Sequence, residues 1–185
     1  MREPSLADHL REALVHGLQL VWVEVVDYDE QWPSYFERYR AGLVSVLGDR
    51  ASFVEHIGST SVPGLAAKPV IDIVVGLQDP EDEPAYIPDL EAAGYQVRVR
   101  ETGHRCLRGE QEAMPVNLHC YRTGADEVGR YLLFRDRLRA SPADRDLYAG
   151  VKRTLAGRQW PDMNFYAEAK SPTIEKILRR ATNQS

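Results

Sequence analysis

Cysteine is scarce in this 185-residue chain, with Cys106 and Cys120 its only two. Two thiols are too few for a disulfide scaffold, and the expectation is a reduced, cytoplasmic protein. Both fall in predicted strands without a helix N-terminus nearby, so thiol nucleophile chemistry is not expected of them. No Cys/His pair has metal-ligand spacing, which argues against a zinc site. No run of 18 apolar residues occurs, so no membrane span is expected. Met1 to Gly17 carries charges throughout and lacks the apolar centre of a secretory signal. Walker A and GxGxxG patterns are absent, as are internal repeats and low-complexity linkers.

What is present fits one globular domain. The chain is 43% hydrophobic and 28% charged, with a formal net charge of −5. That charge is unevenly placed. Residues 1–129 hold 11 Lys/Arg against 22 Asp/Glu, whereas residues 130–185 hold 12 against 6. The C-terminal part therefore either offers cations to an anionic ligand or carries solvated basic helix faces. An acidic chain is not expected to be a nucleic-acid binder.

Ser5 is placed to cap a helix over 6–18, with Leu6, Leu10, Leu14 and Leu18 in one stripe. That stripe would pack on the domain or on a second copy in a homodimer. Residues 21–26 read as a strand, and 29–47 as a helix with Trp32, Tyr35, Phe36, Tyr39, Leu43 and Leu47 facing the core. Strands are predicted over 52–57, 69–77, 95–101, 105–108 and 114–121. Helices are predicted over 81–93, 126–140, 142–155 and 161–182, with Pro142 and Pro161 in first turns. The order indicates an α/β (α+β) fold: a mixed sheet flanked by helices, with a helical C-terminal layer. Residues 1–20 form an N-terminal extension and 21–185 the single domain.

The chemistry concentrates between Glu55 and Val75. Gly58-Ser59-Thr60 follows a strand, where a glycine lets backbone N–H groups approach an anion and two hydroxyls follow. A plain turn has the same composition. Asp72 interrupts a Val/Ile strand, and a carboxylate there is costly unless paired, hydrogen-bonded or metal-bound. Lys68 precedes that strand, placed to reach a phosphate, to pair with Asp72 or Glu55, or to face solvent. On the strand over 114–121, alternation puts Asn117, His119 and Tyr121 on one face. If that strand lies beside 69–77, His119 stands close to Asp72.

The block EHIGSTSVPGLAAKPVIDIVV at 55–75 resembles the hallmark of GrpB proteins. Val26 to Trp32, Leu133 to Arg139, Tyr148 with Lys152, and Tyr166 with Lys170 resemble further segments of that family. The resemblance covers about residues 21–182. It implies a nucleotidyltransferase-like fold of the polymerase-beta kind, in which a Gly-Ser turn and strand carboxylates hold Mg²⁺ beside a nucleotide triphosphate. Gly58 and Ser59 match the turn and Asp72 the first carboxylate. Val74 stands where the second is expected, and Asn117 or His119 near the third.

Three readings follow. In the first, the protein transfers a nucleotidyl group from an NTP to a small acceptor. Asp72 and His119 are then catalytic, and Asp72, His119 and Glu55 hold the metal. Gly58, Ser59, Thr60, Lys68, Arg135, Lys152 and Lys170 receive the phosphates. In the second, it binds a nucleotide or phosphometabolite without transfer. In the third, it is an adaptor linked to coenzyme A metabolism, since GrpB domains can be fused to dephospho-coenzyme A kinase.

Overall fold

The computed structural model describes residues 5–15, 17–110 and 114–183. Its centre is a five-stranded mixed sheet of β2 (Phe53–Ile57), β3 (Ile71–Leu77), β4 (Tyr95–Glu101), β5 (His104–Glu110) and β6 (Pro115–Arg122). The spatial order is β2-β3-β6-β5-β4; β3 and β6 run parallel and the other neighbours antiparallel. The near-continuous apolar run of β3 suits its central place, buried on both faces.

Alternation along β3 decides what each face carries. Ile71, Ile73 and Val75 pack on α2 (Trp32–Leu47), whose Trp32, Phe36, Tyr39, Leu43 and Leu47 recur at helical spacing and are all buried. Asp72 and Val74 point to the opposite face. There Val74 joins Ile57, Tyr121 and Val128 in a second apolar cluster. That face is roofed by α4 (Asp126–Ala140), α5 (Pro142–Leu155) and α6 (Met163–Thr182). These helices share a core with the loop after β2 through Val62, Leu65, Leu138, Tyr148 and Ile177. The α/β arrangement expected from the sequence, with its C-terminal helical layer, is the one observed. Among the described residues no helix is long and apolar enough to cross a membrane.

The N-terminal segment departs from expectation. The first helix, α1 (Leu6–Ala13), has the Ser5 cap but stops five residues before Leu18. Leu14 instead turns extended and bridges Val99, and the Val15 N–H donates to the Arg98 carbonyl at 3.0 Å. The open edge of β4 satisfies these backbone groups in place of another helical turn. The strand expected over 21–26 shrinks to β1 (Val21–Trp22), paired with β7 (Gln159–Trp160), which the sequence reading lacked. The helix expected over 81–93 is a single 3₁₀ turn at Glu83–Ala85 followed by α3 (Ile87–Ala92). Pro84 and Pro88 restrict the residues before them and split it.

Candidate functional site

Between the sheet and helices α5 and α6 lies a cleft of about 310 Å³, with Asp72 on its floor. Gly58 explains how the small-residue bend reaches the acid. Its φ of 71° is a glycine conformation, and a Cβ there would overlap the Asp72 carboxylate. Beside it, Ser59 lines the cleft. The parallel register sets Asn117 next to Asp72, and its Nδ2 donates to Asp72 Oδ1 at 2.8 Å. This bond satisfies part of the carboxylate's need while Oδ2 stays beside Gly58.

Three lysines converge on the same cleft. Lys68 comes from the loop before β3, Lys152 from α5 and Lys170 from α6. Lys152 is 2% exposed; it donates to the Ala66 carbonyl, and its ammonium lies 4.8 Å from the Tyr148 ring centroid. Lys170 sits 4.3 Å from the Tyr166 ring centroid. Burial draws Lys152 down to about 6, helped by the positive charge of Lys170 and Arg153 and opposed by Asp72. Burial likewise lowers Lys170 to about 8, with Asp72 opposing and Lys68 adding to the fall. Lys68 is lowered by burial and by Arg108. Desolvation disfavours the ammonium forms, and the two lining carboxylates, Asp72 and Asp162, do not match three lysines and two arginines, Arg98 and Arg108. The cleft is therefore short of negative charge.

His119 also lines the cleft, opposite Cys106 in the β5–β6 register. Its Nδ1 lies 3.1 Å from His104 Nε2, and His104 Nδ1 lies 3.0 Å from Glu101 Oε2. Burial works against a His119 cation, but its interaction with Cys106 outweighs this and the net displacement is upward.

The structure thus gathers Ser59, Lys68, Asp72, His119, Lys152 and Lys170 in the cleft, with Gly58 backing Asp72, and leaves out three residues expected with them. Thr60 is buried beneath the bend, donating to the Val70 carbonyl at 3.0 Å and meeting His56 Nε2 at 3.1 Å. It staples the loop and faces no ligand space. Arg135 is held by Glu55 at 2.8 Å, Asp136 at 2.8 Å and the His56 carbonyl at 3.1 Å. It borders a separate cavity of about 340 Å³ with Gly58, Tyr131 and Phe134. Glu55 is engaged by that same Arg135, so the expected metal set of Asp72, His119 and Glu55 is not assembled. Among the described residues no group of three His, Cys, Asp or Glu side chains is arranged to hold a metal ion. Asp72 and Asp162 set among three lysines and two arginines do not fit Mg²⁺, which favours carboxylate and phosphate oxygens.

Sequence reasoning missed Cys106, Arg108, Gln19 and Leu14, all of which line the cleft. Period-two alternation does put Cys106 and Arg108 on one face of β5, so that signal was present. Nothing local marks Leu14 and Gln19. Their place depends on α1 ending early and on the Gln19 N–H donating to Asp162 at 3.0 Å.

Comparison with known proteins agrees with this architecture. The family profile described as GrpB protein matches residues 22–180. A UPF0157 protein of Halalkalibacterium halodurans is 47% identical over 183 residues, covering 96% of this chain and 93% of the relative. Another from Streptomyces coelicolor is 48% identical over 168 residues, covering 91% and 89%. A dephospho-CoA kinase of Mycolicibacterium paratuberculosis is 31% identical, covering 86% of this chain but 46% of that protein. The crystal structure of conserved protein GrpB from Enterococcus faecalis has a TM-score of 0.75 and 32% identity, covering 87% of this chain and 98% of that one. The chain belongs to the GrpB family.

Proposed function

We propose that the cleft binds a phosphorylated small molecule, with Lys68, Lys152 and Lys170 supplying the charge that a metal supplies in other phosphate sites. The observation that carries this reading is the convergence of three lysines on one cleft whose lining carboxylates are Asp72 and Asp162. Their lowered proton affinities follow from burial first and from neighbouring cations second. A phosphate entering there restores the ammonium forms and offsets their desolvation. Ser59 and Asn117 stand in the wall as neutral hydrogen-bonding groups that orient the ligand.

The test is thermal stabilisation by inorganic tripolyphosphate, ATP and dephospho-coenzyme A, the last chosen because two relatives are named dephospho-CoA kinase. At least one compound should raise the melting temperature in a saturable way, and Lys170→Met should abolish the rise. No shift with any of the three would end the reading.

A second reading, nucleotidyl transfer to a small acceptor, is favoured by the tight approach of Gly58 to Asp72. In that reaction an acceptor hydroxyl attacks the α-phosphorus and pyrophosphate leaves. Asp72 takes the hydroxyl proton, and the lysines stabilise the charge gathering on the phosphoryl oxygens. Release of pyrophosphate from ATP by the wild-type chain, lost in Asp72→Asn, is its signature. Ligand-induced stabilisation without pyrophosphate leaves binding as the activity.

A further inference from the structure

Cys106 has surroundings that phosphate binding does not explain. It lies in the cleft wall, partly exposed, in company with Lys68, Asp72 and Lys170. Its cross-strand partner on the same sheet face is His119, and both side chains line the cleft. Behind His119 runs an ordered chain to Glu101. An ionised carboxylate only accepts, so His104 Nδ1 donates to Glu101; in the neutral imidazole Nε2 is then the acceptor. His119 Nδ1 must then carry hydrogen toward His104, which leaves the Nε2 lone pair of His119 to receive the thiol proton. Tyr121 holds the His104 ring by stacking, with centroids 4.3 Å apart and planes 11° apart. Cys120, in contrast, is fully buried on the opposite face of β6.

We propose that Cys106 is a covalent attachment site inside the cleft: a thiol with His119 as its base that takes electrophiles bearing an anionic group. The preference for an anionic group rests on the reading of the lysine cleft given above. In the step, the Cys106 proton passes to His119. The sulfur electron pair forms a bond to the electrophilic carbon, and the leaving group departs with its own pair. With iodoacetate the product is a carboxymethyl thioether and free iodide. Lys170 and Lys68 hold the carboxylate of the reagent beside the sulfur.

The experiment treats the full chain with iodoacetate or iodoacetamide and follows Cys106 and Cys120 by peptide mass mapping, with glutathione as the reference thiol. Cys106 should react with iodoacetamide about tenfold faster than glutathione, and Cys120 should stay unmodified until the protein unfolds. The iodoacetate-to-iodoacetamide rate ratio should exceed that of glutathione by about tenfold, as expected for charge steering in a confined site. His119→Gln should slow both reagents by a similar factor and leave their ratio unchanged. Glu101→Gln, at the partly exposed end of the chain, should also slow both; it keeps the test sound if His119→Gln does not fold. Lys170→Met should lower the ratio alone. A Cys106 no faster than glutathione, or one indifferent to both His119→Gln and Glu101→Gln, overturns the activated thiol. A fast Cys106 whose reagent ratio matches glutathione overturns the anion preference and counts against the lysine cleft as an anion site.

Discussion

Gly58 carries two constraints at one Cα. Its positive φ penalises any side chain, and the space a Cβ would fill belongs to the Asp72 carboxylate. Gly58→Ala should therefore lower stability by about 2 kcal/mol or more and displace Asp72. Melting temperature reads the first effect and loss of tripolyphosphate-induced stabilisation the second. Lys152 poses the opposite case. It is buried with its charge disfavoured, and its one direct hydrogen bond goes to the Ala66 carbonyl. A methionine of similar length removes the desolvation cost, so Lys152→Met should raise the melting temperature of the unliganded protein at neutral pH while weakening anion binding. A variant both less stable and weaker in binding would mean that Lys152 serves mainly to hold the Ala66 loop.

At the scale of elements, the helical layer hangs on one buried acid. Asp144, at the start of α5, receives Arg137 of α4 at 2.7 Å and Arg180 of α6, and its backbone N–H donates to Ser141 at 3.3 Å. Burial alone would raise its pKa, but these arginine contacts prevail and hold it below the usual carboxylate range. Its stabilising effect is thus present above the unfolded value of 3.8 and lost as pH falls through the lower folded value. Asp144→Ala should destabilise by about 3–5 kcal/mol, because two arginines lose their shared partner. Chemical denaturation checks this at pH 7. These helices were also the most legible part of the sequence: 126–140 and 142–155 were placed to the residue, since Pro142 marks a start that local chemistry alone decides. The face assignments of β3 and β6 followed equally directly from alternation. What local pattern could not supply was pairing. β1 and β7 are two residues each and exist only because distant segments meet. The reach of Arg135 to Glu55 and the burial of Thr60 depend on how α4 settles over the bend. The triplet Gly58-Ser59-Thr60 looked like one phosphate loop, yet only Ser59 lines the cleft, while Gly58 backs Asp72 and borders the neighbouring cavity.

The charge asymmetry of the whole molecule acquires a meaning once the fold is known. Many C-terminal cations are spent on structure: Arg135, Arg137 and Arg180 all have acidic partners. Lys152 and Lys170 enter the cleft with Lys68 instead. Their titration couples ligand binding to pH. Unfolded, a lysine keeps its proton up to about 10.5, whereas folded Lys152 releases it near 6 and Lys170 near 8. Between those values the unfolded chain binds more protons, so the unliganded protein should gain stability as pH rises from 6 toward 10. An anion reverses the preference by restoring the ammonium groups. Binding of tripolyphosphate at pH 7.5 should therefore take up about one proton, mainly at Lys152. Calorimetry in buffers of different ionisation enthalpy measures that uptake directly. Zero uptake would mean that the lysines are already protonated in the free cleft or do not meet the phosphate. Lys152→Met assigns the proton: if that variant still binds tripolyphosphate but no longer takes up the proton, the uptake belongs to α5, and the cleft recognises negative charge by recharging a lysine that the fold had left neutral.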